Sequence, residues 1–307
     1  MITKEDFAVA KIVKPNLEIK NPFIKWGKKK ISQSSFNSWA ESPANWIATY
    51  ILGLRQQGSP RMNAGTVSES MTYKLLMGQI NYDDIVKEAE KEFSSKNGIL
   101  GTEDDRKAVL KDMIGYKTYG AKLKDGTKPV KNEYKGFIVN GYEGLKFLGK
   151  PIKYQSHVKY PLKYFGINAD GWKDFSYKGY DVDMKTTGKM MSALPIAYVR
   201  QLAFYKMENE SIEQRLLLCT KDKSQMYVLE DSFKEAKEEI YHILNTMAIA
   251  LTECNSVEQL LERYYPDWAY YRLNQRQKDE LRKHLANAHK ISWKEKIEQS
   301  NFEKGIS

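Results

Sequence analysis

The sequence predicts an α/β fold with a central mixed sheet flanked by helices, and three observations predict it. Apolar residues recur at the helical period through the first half of the chain. The pattern changes to alternation at about Ile152 and holds to Lys185. The segments then run helices, three strands, a helix, two strands and more helices, which interleaves strands with helices instead of grouping them apart. At 307 residues the chain is long enough to bury a large core, and no internal repeat or Gly/Ser- or Pro-rich linker divides it. One domain is expected over 31–270, mainly helical over 31–150 and carrying the sheet over 151–230. Residues 1–30 settle into no period and read as a basic extended arm, and 271–307 read as a polar helical tail.

Each element has a local cause. Ser32 to Trp39 and Ser42 to Leu52 read as short helices, the second with Ser42 as N-cap and Pro43 at its first position, where the missing N–H has no intrahelical partner to lose. Gly65 opens a third, in which Val67, Met71 and Leu75 recur every four residues as a buried stripe. Helical patterns continue over Asp83 to Phe93, Glu103 to Ile114 and Glu133 to Leu148, with the polar stretch Lys122 to Asn132 as a surface loop. Ile152 to Tyr160, Tyr164 to Trp172 and Phe175 to Lys185 read as strands rich in Tyr, Val, Ile and Phe, with Asp-Gly and Lys-Gly near the turns. A helix from Leu194 to Met207 follows, with Pro195 near its start. Arg215 to Thr220 and Met226 to Leu229 make two further strands around the turn Lys221 to Ser224. Ser232 and Glu235 have the capping-box spacing, ahead of a helix whose stripe is Phe233, Ala236, Ile240, Leu244, Met247 and Leu251.

The formal net charge of +10 and pI near 9.2, with cations gathered in Lys25 to Lys30 and the C-terminal third, suit a polyanionic partner. Two cysteines, Cys219 and Cys254, supply neither a disulfide framework nor a cysteine metal site, which suits a reducing, cytoplasmic protein. No apolar run approaches the ~20 residues of a membrane span, and the first residues lack a signal-peptide core, so neither membrane nor export is expected. No phosphate-binding Gly-x-x-x-x-Gly-Lys-Ser/Thr loop is present, which excludes an ATP motor of that type.

The chemistry centres on Asp183-Met184-Lys185. Side chains two apart on an extended chain share a face, so Asp183 and Lys185 converge while Met184 turns away. Asp170, thirteen residues earlier and on a neighbouring strand, adds a second carboxylate. Two carboxylates form a hard oxygen site that suits Mg²⁺ or Mn²⁺. A lysine beside them can orient an attacking water or, as the neutral amine, deprotonate it, and as the ammonium stabilise phosphorane charge, while the metal polarises the scissile phosphate. Gln201 and Tyr205, four apart, share one face of the following helix. A lone Asp-x-Lys is ordinarily exposed strand charge, the Gln201/Tyr205 pair alone a half-buried helix face, and Glu69 alone a solvated acid; their joint order is what points to a site. His157, His242, His284 and His289 share no metal-ligand spacing and read as structural or surface. Asp174 is expected in a turn, and Asp181, a rival on the face of Asp183, is expected to be solvated at its strand's start.

Taken together, Gly65-x-x-x-Glu69, Asp170, Asp183-x-Lys185 and Gln201-x-x-x-Tyr205 resemble the PD-(D/E)XK nuclease superfamily and, within it, the RecB-type exonuclease branch. Ile31-Ser32-Gln33-Ser34 followed by Ser42-Pro43 resembles the N-terminal helices of that branch, and Asp183-Met184-Lys185-Thr186-Thr187 resembles its phage-encoded members. The likeness spans Ile31 to Tyr205. It implies a restriction-endonuclease-like core with N-terminal and C-terminal helical additions. It also implies Asp170 and Asp183 as central metal ligands, the Met184 carbonyl and Glu69 completing the shell, and Lys185 as the catalytic lysine. Gln201 and Tyr205 would contact the DNA backbone or brace the catalytic strand, with Trp172 and Tyr198 available for stacking.

The activity so implied is a Mg²⁺-dependent deoxyribonuclease, specifically an exonuclease processing DNA ends for recombination or repair. Its partners would be DNA and a separately encoded single-strand annealing protein, and a homo-oligomer is compatible with the resemblance. Two features depart from the pattern. Gly166 precedes Asp170 by four residues instead of three, so either a bulge intervenes or Asn168 to Gly171 turns by itself. Ser42 stands where iron–sulfur relatives carry cysteine, so no iron–sulfur cluster is expected. An endonuclease of the same fold (resolvase, restriction or nicking type), a non-catalytic nucleic-acid-binding protein and an adaptor with an acidic protein partner remain alternative readings.

Overall fold

A computed structural model describes residues 21–55, 59–81, 84–95, 103–114, 117–118, 133–134, 136–229, 232–270 and 272–287. Most of the expected basic arm, the loop Lys122 to Asn132 and the end of the expected tail lie outside the described residues.

The helical half is punctuated by side-chain caps. Asn21 accepts the Phe23 and Ile24 N–H groups and starts a one-turn helix, α1 (Pro22–Lys25). Lys30–Ile31 form strand β1, and residues 21–30 are not the extended arm expected: Phe23 within them and Ile31 just after them are buried and anchor them to the core. Ser32 caps α2 (Gln33–Glu41), and Ser42 caps α3 (Pro43–Trp46), which continues as a π-helical turn through Ile51. Ser59 and Pro60 start α4 (Pro60–Leu76) five residues before Gly65, because a capping serine followed by proline is the stronger start signal. Then come α5 (Ile85–Ser95) and α6 (Glu103–Ile114). The helix expected over Glu133 to Leu148 is shorter: Glu133–Tyr134 is a strand, β3, paired with β2 (Lys117–Thr118), and α7 covers Phe137–Leu145.

The second half supplies β4 (Lys153–Leu162), β5 (Ile167–Ser176), β6 (Tyr180–Thr186), α8 (Ile196–Lys206), β7 (Glu213–Cys219), β8 (Ser224–Val228), α9 (Phe233–Glu253) and α10 (Val257–Arg263), followed by a helix over 275–287. Two expectations fail locally. The turn after β5 lies at Lys178-Gly179, with Gly179 at φ 91°, so β5 runs through Asp174 instead of stopping at Trp172. Ser232 forms no side-chain cap, and the expected capping box is not made.

The central sheet is mixed and has six strands. β6 and β7 run parallel, with α8 as the crossover, and β7 pairs antiparallel with β8. β5 is the branching strand. One edge pairs with β4 along its whole length, while the other is shared: β1 takes Asn168 and Ala169, and β6 takes Phe175 and Ser176. Residues 170–174 of β5 therefore face a gap where β1 and β6 diverge.

Helices cover both faces of the sheet, which is why β7 reads as an unbroken apolar run. Its Leu216 and Leu218 enter the core formed with α2, α3, α8 and α9. Leu217 and Cys219 enter a second cluster with Phe175, Val182, Met184 and Leu145. Alternation does the same on β6, where Val182 and Met184 face the second cluster while Asp183 and Lys185 face α8. The α4 stripe Val67, Met71 and Leu75 is buried against α5, α6 and α7. Gly141 lets α7 approach β6 and α4: a Cβ there would lie 2.5 Å from Met184 Cε and 2.7 Å from Thr72 Oγ1.

Candidate active site

The fork in the sheet opens a cavity of about 290 Å³ lined by Asp170, Asp174, Asp183, Lys185, Gln201 and Tyr205, with Ser32 to Ser34 at the start of α2 on its rim. The gap exists because β1 and β6 each pair with only two residues of β5. The chain between is left to side chains. Asp174 Oδ2 accepts the Met184 N–H at 2.7 Å and so joins β5 to β6 where the ladder is absent.

Asp183 is buried. Its Oδ1 accepts from Gln201 Nε2 at 2.7 Å, and its Oδ2 forms an ion pair with Lys185 Nζ. Gln201 Nε2 also donates to the Tyr205 hydroxyl at 3.1 Å, a spacing that one helical turn of α8 provides. Gly171 makes room for this: a Cβ there would meet Tyr205 Cε1 at 3.2 Å. Burial pushes the Asp183 carboxyl up, with Lys185 opposing. Asp174 is raised further, by burial and then by the Asp183 charge. Burial works against the charge on Lys185, but Asp183 and Asp174 outweigh it and hold its ammonium above the ordinary lysine range. Burial and the Asp183 charge likewise raise the Tyr205 hydroxyl.

Glu69 enters through its neighbours. Four residues on, Tyr73 stacks on Tyr154 with ring centroids 4.2 Å apart, which docks α4 onto β4. Gln155 Nε2 donates to Glu69 Oε1 at 3.3 Å. Gln155 is the one non-glycine described residue at positive φ (48°), and the β4–β5 pairing skips it opposite Asp174. Burial raises the Glu69 carboxyl, and the charges of Lys185 and Asp183 reach it, although Glu69 does not line the cavity.

Asp170 lies on the cavity wall but is paired elsewhere. Lys30 Nζ stands 2.6 Å from its Oδ2 and His157 Nε2 2.8 Å from its Oδ1. Lys30 first, and then His157, hold its carboxyl below the ordinary carboxylate range against the effect of burial. Trp172, 58 % exposed, tilts over His157 at 4.7 Å and leaves a ring face near the opening. Tyr198 is half-buried against the core.

The structure thus joins Asp183, Lys185, Gln201 and Tyr205 by direct contact. It places Asp170 on the same cavity in a different ion pair, and holds Glu69 at electrostatic range. Asp174, expected in a turn, is instead a buried strand residue beside Asp183, and the signal was available: Asp170, Trp172 and Asp174 alternate on one face. Asp181, expected to be solvated, is buried against Lys173 at 2.9 Å and accepts from Gln214 Nε2 at 2.9 Å. It is committed to that pair. The uncertainty at Gly166 resolves as neither a bulge nor a turn at Asn168 to Gly171: Gly166, at φ 60°, ends a short 3₁₀ turn and β5 then runs straight through Asp170. His157, expected to be structural or surface, touches the site through Asp170.

Among the described residues no three His, Cys, Asp or Glu side chains lie close enough to form a ready metal cage. The donor set nevertheless suits a hard cation: Asp174 and Asp183 are buried oxygen donors, the Asp183 charge favours protonation of Asp174, and a divalent ion beside them would relieve that repulsion. Among the described residues no helix is long and apolar enough to cross a membrane.

Fold and site together define a mixed α/β protein with a carboxylate–lysine cleft at a fork in its sheet. A solved structure of a "Putative exonuclease" from Eubacterium rectale resembles it with a TM-score of 0.44 and 12 % identity, over 82 % of this chain and 87 % of that one. At that TM-score the likeness says nothing about activity. No protein-family profile and no curated protein sequence matches the chain.

Proposed function

We propose that this protein is a divalent-cation-dependent nuclease that hydrolyses DNA phosphodiester bonds at the Asp183–Lys185 cleft. The observation that carries the proposal is the pairing of buried Asp183 with half-buried Lys185, held by Gln201 and opening with Asp174 and Asp170 into one cavity. A carboxylate kept this far from water and braced by a lysine and an amide is costly to maintain for stability alone.

Asp183 and Asp174 would hold the cation, with Asp170 joining them once Lys30 and His157 give it up and Glu69 adding charge from behind. Mg²⁺ is commonly held by one or two carboxylates together with waters and substrate phosphate, so a cage of three protein acids is not required. Bound there, the ion supplies Lewis-acid polarisation of the phosphate and a more acidic water. Lys185 Nζ positions the attacking water and balances the charge gathering on the phosphoryl oxygens. Water adds to phosphorus as one ester P–O bond breaks, leaving a phosphate monoester on one fragment and a hydroxyl on the other. Gln201 keeps Asp183 Oδ1 occupied, so the other oxygen is left to Lys185. Ser32 and Ser34, at the start of α2, offer hydroxyls and a helix N-terminus to the phosphate.

The finer reading is an exonuclease acting on DNA ends in recombination or repair, supported by the order of the Glu69, Asp170, Asp183-x-Lys185 and Gln201-x-x-x-Tyr205 motifs. A cytoplasmic setting and an annealing-protein partner belong to the same reading. The test is cleavage of labelled linear and circular DNA in Mg²⁺. Nucleotides released from linear DNA only support an exonuclease, and nicking of circles indicates an endonuclease. Full activity of Asp183→Asn or Lys185→Met would refute the site.

A further inference from the structure

Next to the carboxylate cavity lies a second groove of about 420 Å³, and Ser32 and Asp170 line both. Four cations line it: Lys28, Lys29, Lys30 and Arg55. Asp170 is its one acidic lining residue, and that carboxylate is already paired with Lys30. Among the described residues no carboxylate forms an ion pair with Lys28, Lys29 or Arg55.

Gathering cations without acids is unfavourable in the free protein. Lys28 is partly buried, donates to the Tyr50 carbonyl, and has its ammonium acidified by burial and by the nearby Arg55 charge. The fold nevertheless holds Lys28, Lys29 and Lys30 in place, because α1 and β1 are anchored by the buried Phe23 and Ile31. An anion of repeating charge would remove the repulsion. At about 420 Å³ the groove has room for the phosphates and sugars of one strand and none for a duplex.

We propose that this groove holds the backbone phosphates of one nucleic-acid strand and leads that strand to the carboxylate cavity. Lys30, its side chain 67 % exposed, lines the groove and pairs with Asp170, which lines both spaces, and so links them: a phosphate arriving in the groove competes with Asp170 for its ammonium and leaves Asp170 available to the cavity. The proposal rests on the nuclease reading for its direction, but strand binding is separable from cutting.

The experiment measures fluorescence anisotropy of a labelled single-stranded oligonucleotide in EDTA, where no cleavage occurs, across a range of NaCl concentrations. The wild-type chain is compared with Lys28→Gln/Arg55→Gln, each single variant, and Lys146→Gln as a control next to α7. The double variant is expected to bind about tenfold or more weakly, with the slope of log affinity against log salt shallower by about 1.4, or about 0.7 per lost phosphate contact. Lys146→Gln is expected to match wild type. Thermal melts identify any variant that fails to fold, and the single variants then carry the comparison. Equal affinities and slopes for wild type and folded groove variants would overturn the proposal. So would polyglutamate displacing the strand as well as unlabelled DNA does. Binding lost in the groove variants of a chain that cleaves nothing in Mg²⁺ would support the groove and refute the nuclease reading. Cleavage with unaltered strand binding in those variants would do the reverse.

Discussion

Asp174 Oδ2 accepts the backbone N–H of Met184 at 2.7 Å, so a carboxylate replaces a rung of the ladder where β5 and β6 part. The same group is buried beside Asp183 and is pushed strongly toward its protonated form by burial and by that neighbour. One residue therefore carries both the geometry and the electrostatics of the fork.

Replacing Asp174 separates these two roles. Asp174→Ala leaves the Met184 N–H without a partner and is expected to cost about 1–3 kcal/mol in urea denaturation. Asp174→Asn keeps an acceptor and removes a buried charge, so it should be as stable as wild type or more so. Both should lose cleavage if Asp174 helps hold the cation, and full activity of Asp174→Asn would assign it a structural role alone.

The pH dependence follows from the direction of the shifts. Asp174, Asp183 and Glu69 all have folded values above the ordinary carboxylate range. As pH rises from the unfolded value of about 4 through the raised folded values, the folded chain retains protons that the unfolded chain has released. Stability should therefore fall with rising pH in that window, and Asp174→Asn should flatten the slope. Mg²⁺ competes with those protons, so its stabilising shift in Tm should be larger at pH 8 than at pH 5. An equal shift at both would count against carboxylate ligation. Asp170 runs the other way: Lys30 depresses its folded value, so its contribution is present at neutral pH and lost as pH falls through that value.

Gln201 and Tyr205 should prove coupled. Gln201→Leu removes the donor to a buried carboxylate and should cost about 1.5–3 kcal/mol, against about 0.5–1.5 kcal/mol for Tyr205→Phe. Because one Nε2 serves both partners, the double variant should cost less than the two together. Strict additivity in denaturation would mean that the shared donor is unimportant.

Asp181 and Asp183, two apart on β6, should behave differently. Lys173 pairs with both Asp181 and Glu208 at 2.9 Å, so Lys173→Met leaves acids unpaired and is expected to cost about 3–5 kcal/mol. Asp181→Asn should lower stability and leave kcat of the folded fraction unchanged. Loss of kcat in folded Asp181→Asn would move the proposed centre toward it.

Much of this site can be seen in the residue order. The Asp183-x-Lys185 spacing places both side chains on one strand face, and four-residue spacing does the same for Gln201 and Tyr205 on α8, because both periods are local properties of the backbone. The glutamate at 69 sits on a helix whose stripe Val67, Met71 and Leu75 is equally local. Lys30 as the partner of Asp170 is not legible, since 140 residues separate them and only the parallel pairing of β1 with β5 brings them together. Asp174 was obscured by a misplaced strand end: Asp170-Gly171 looks like a turn, yet Gly171 is small because the Tyr205 ring lies over it.

By itself, then, the sequence determined the α/β class, the order of most elements and the convergence of aspartate with lysine, all consequences of short-range periodicity and capping. Tertiary structure decided which carboxylates share a cavity, which are tied up by lysines, and where the sheet forks. Those outcomes depend on strand pairing between distant segments, and burial then sets the charge of each acid in ways that no neighbouring residue in the chain reveals.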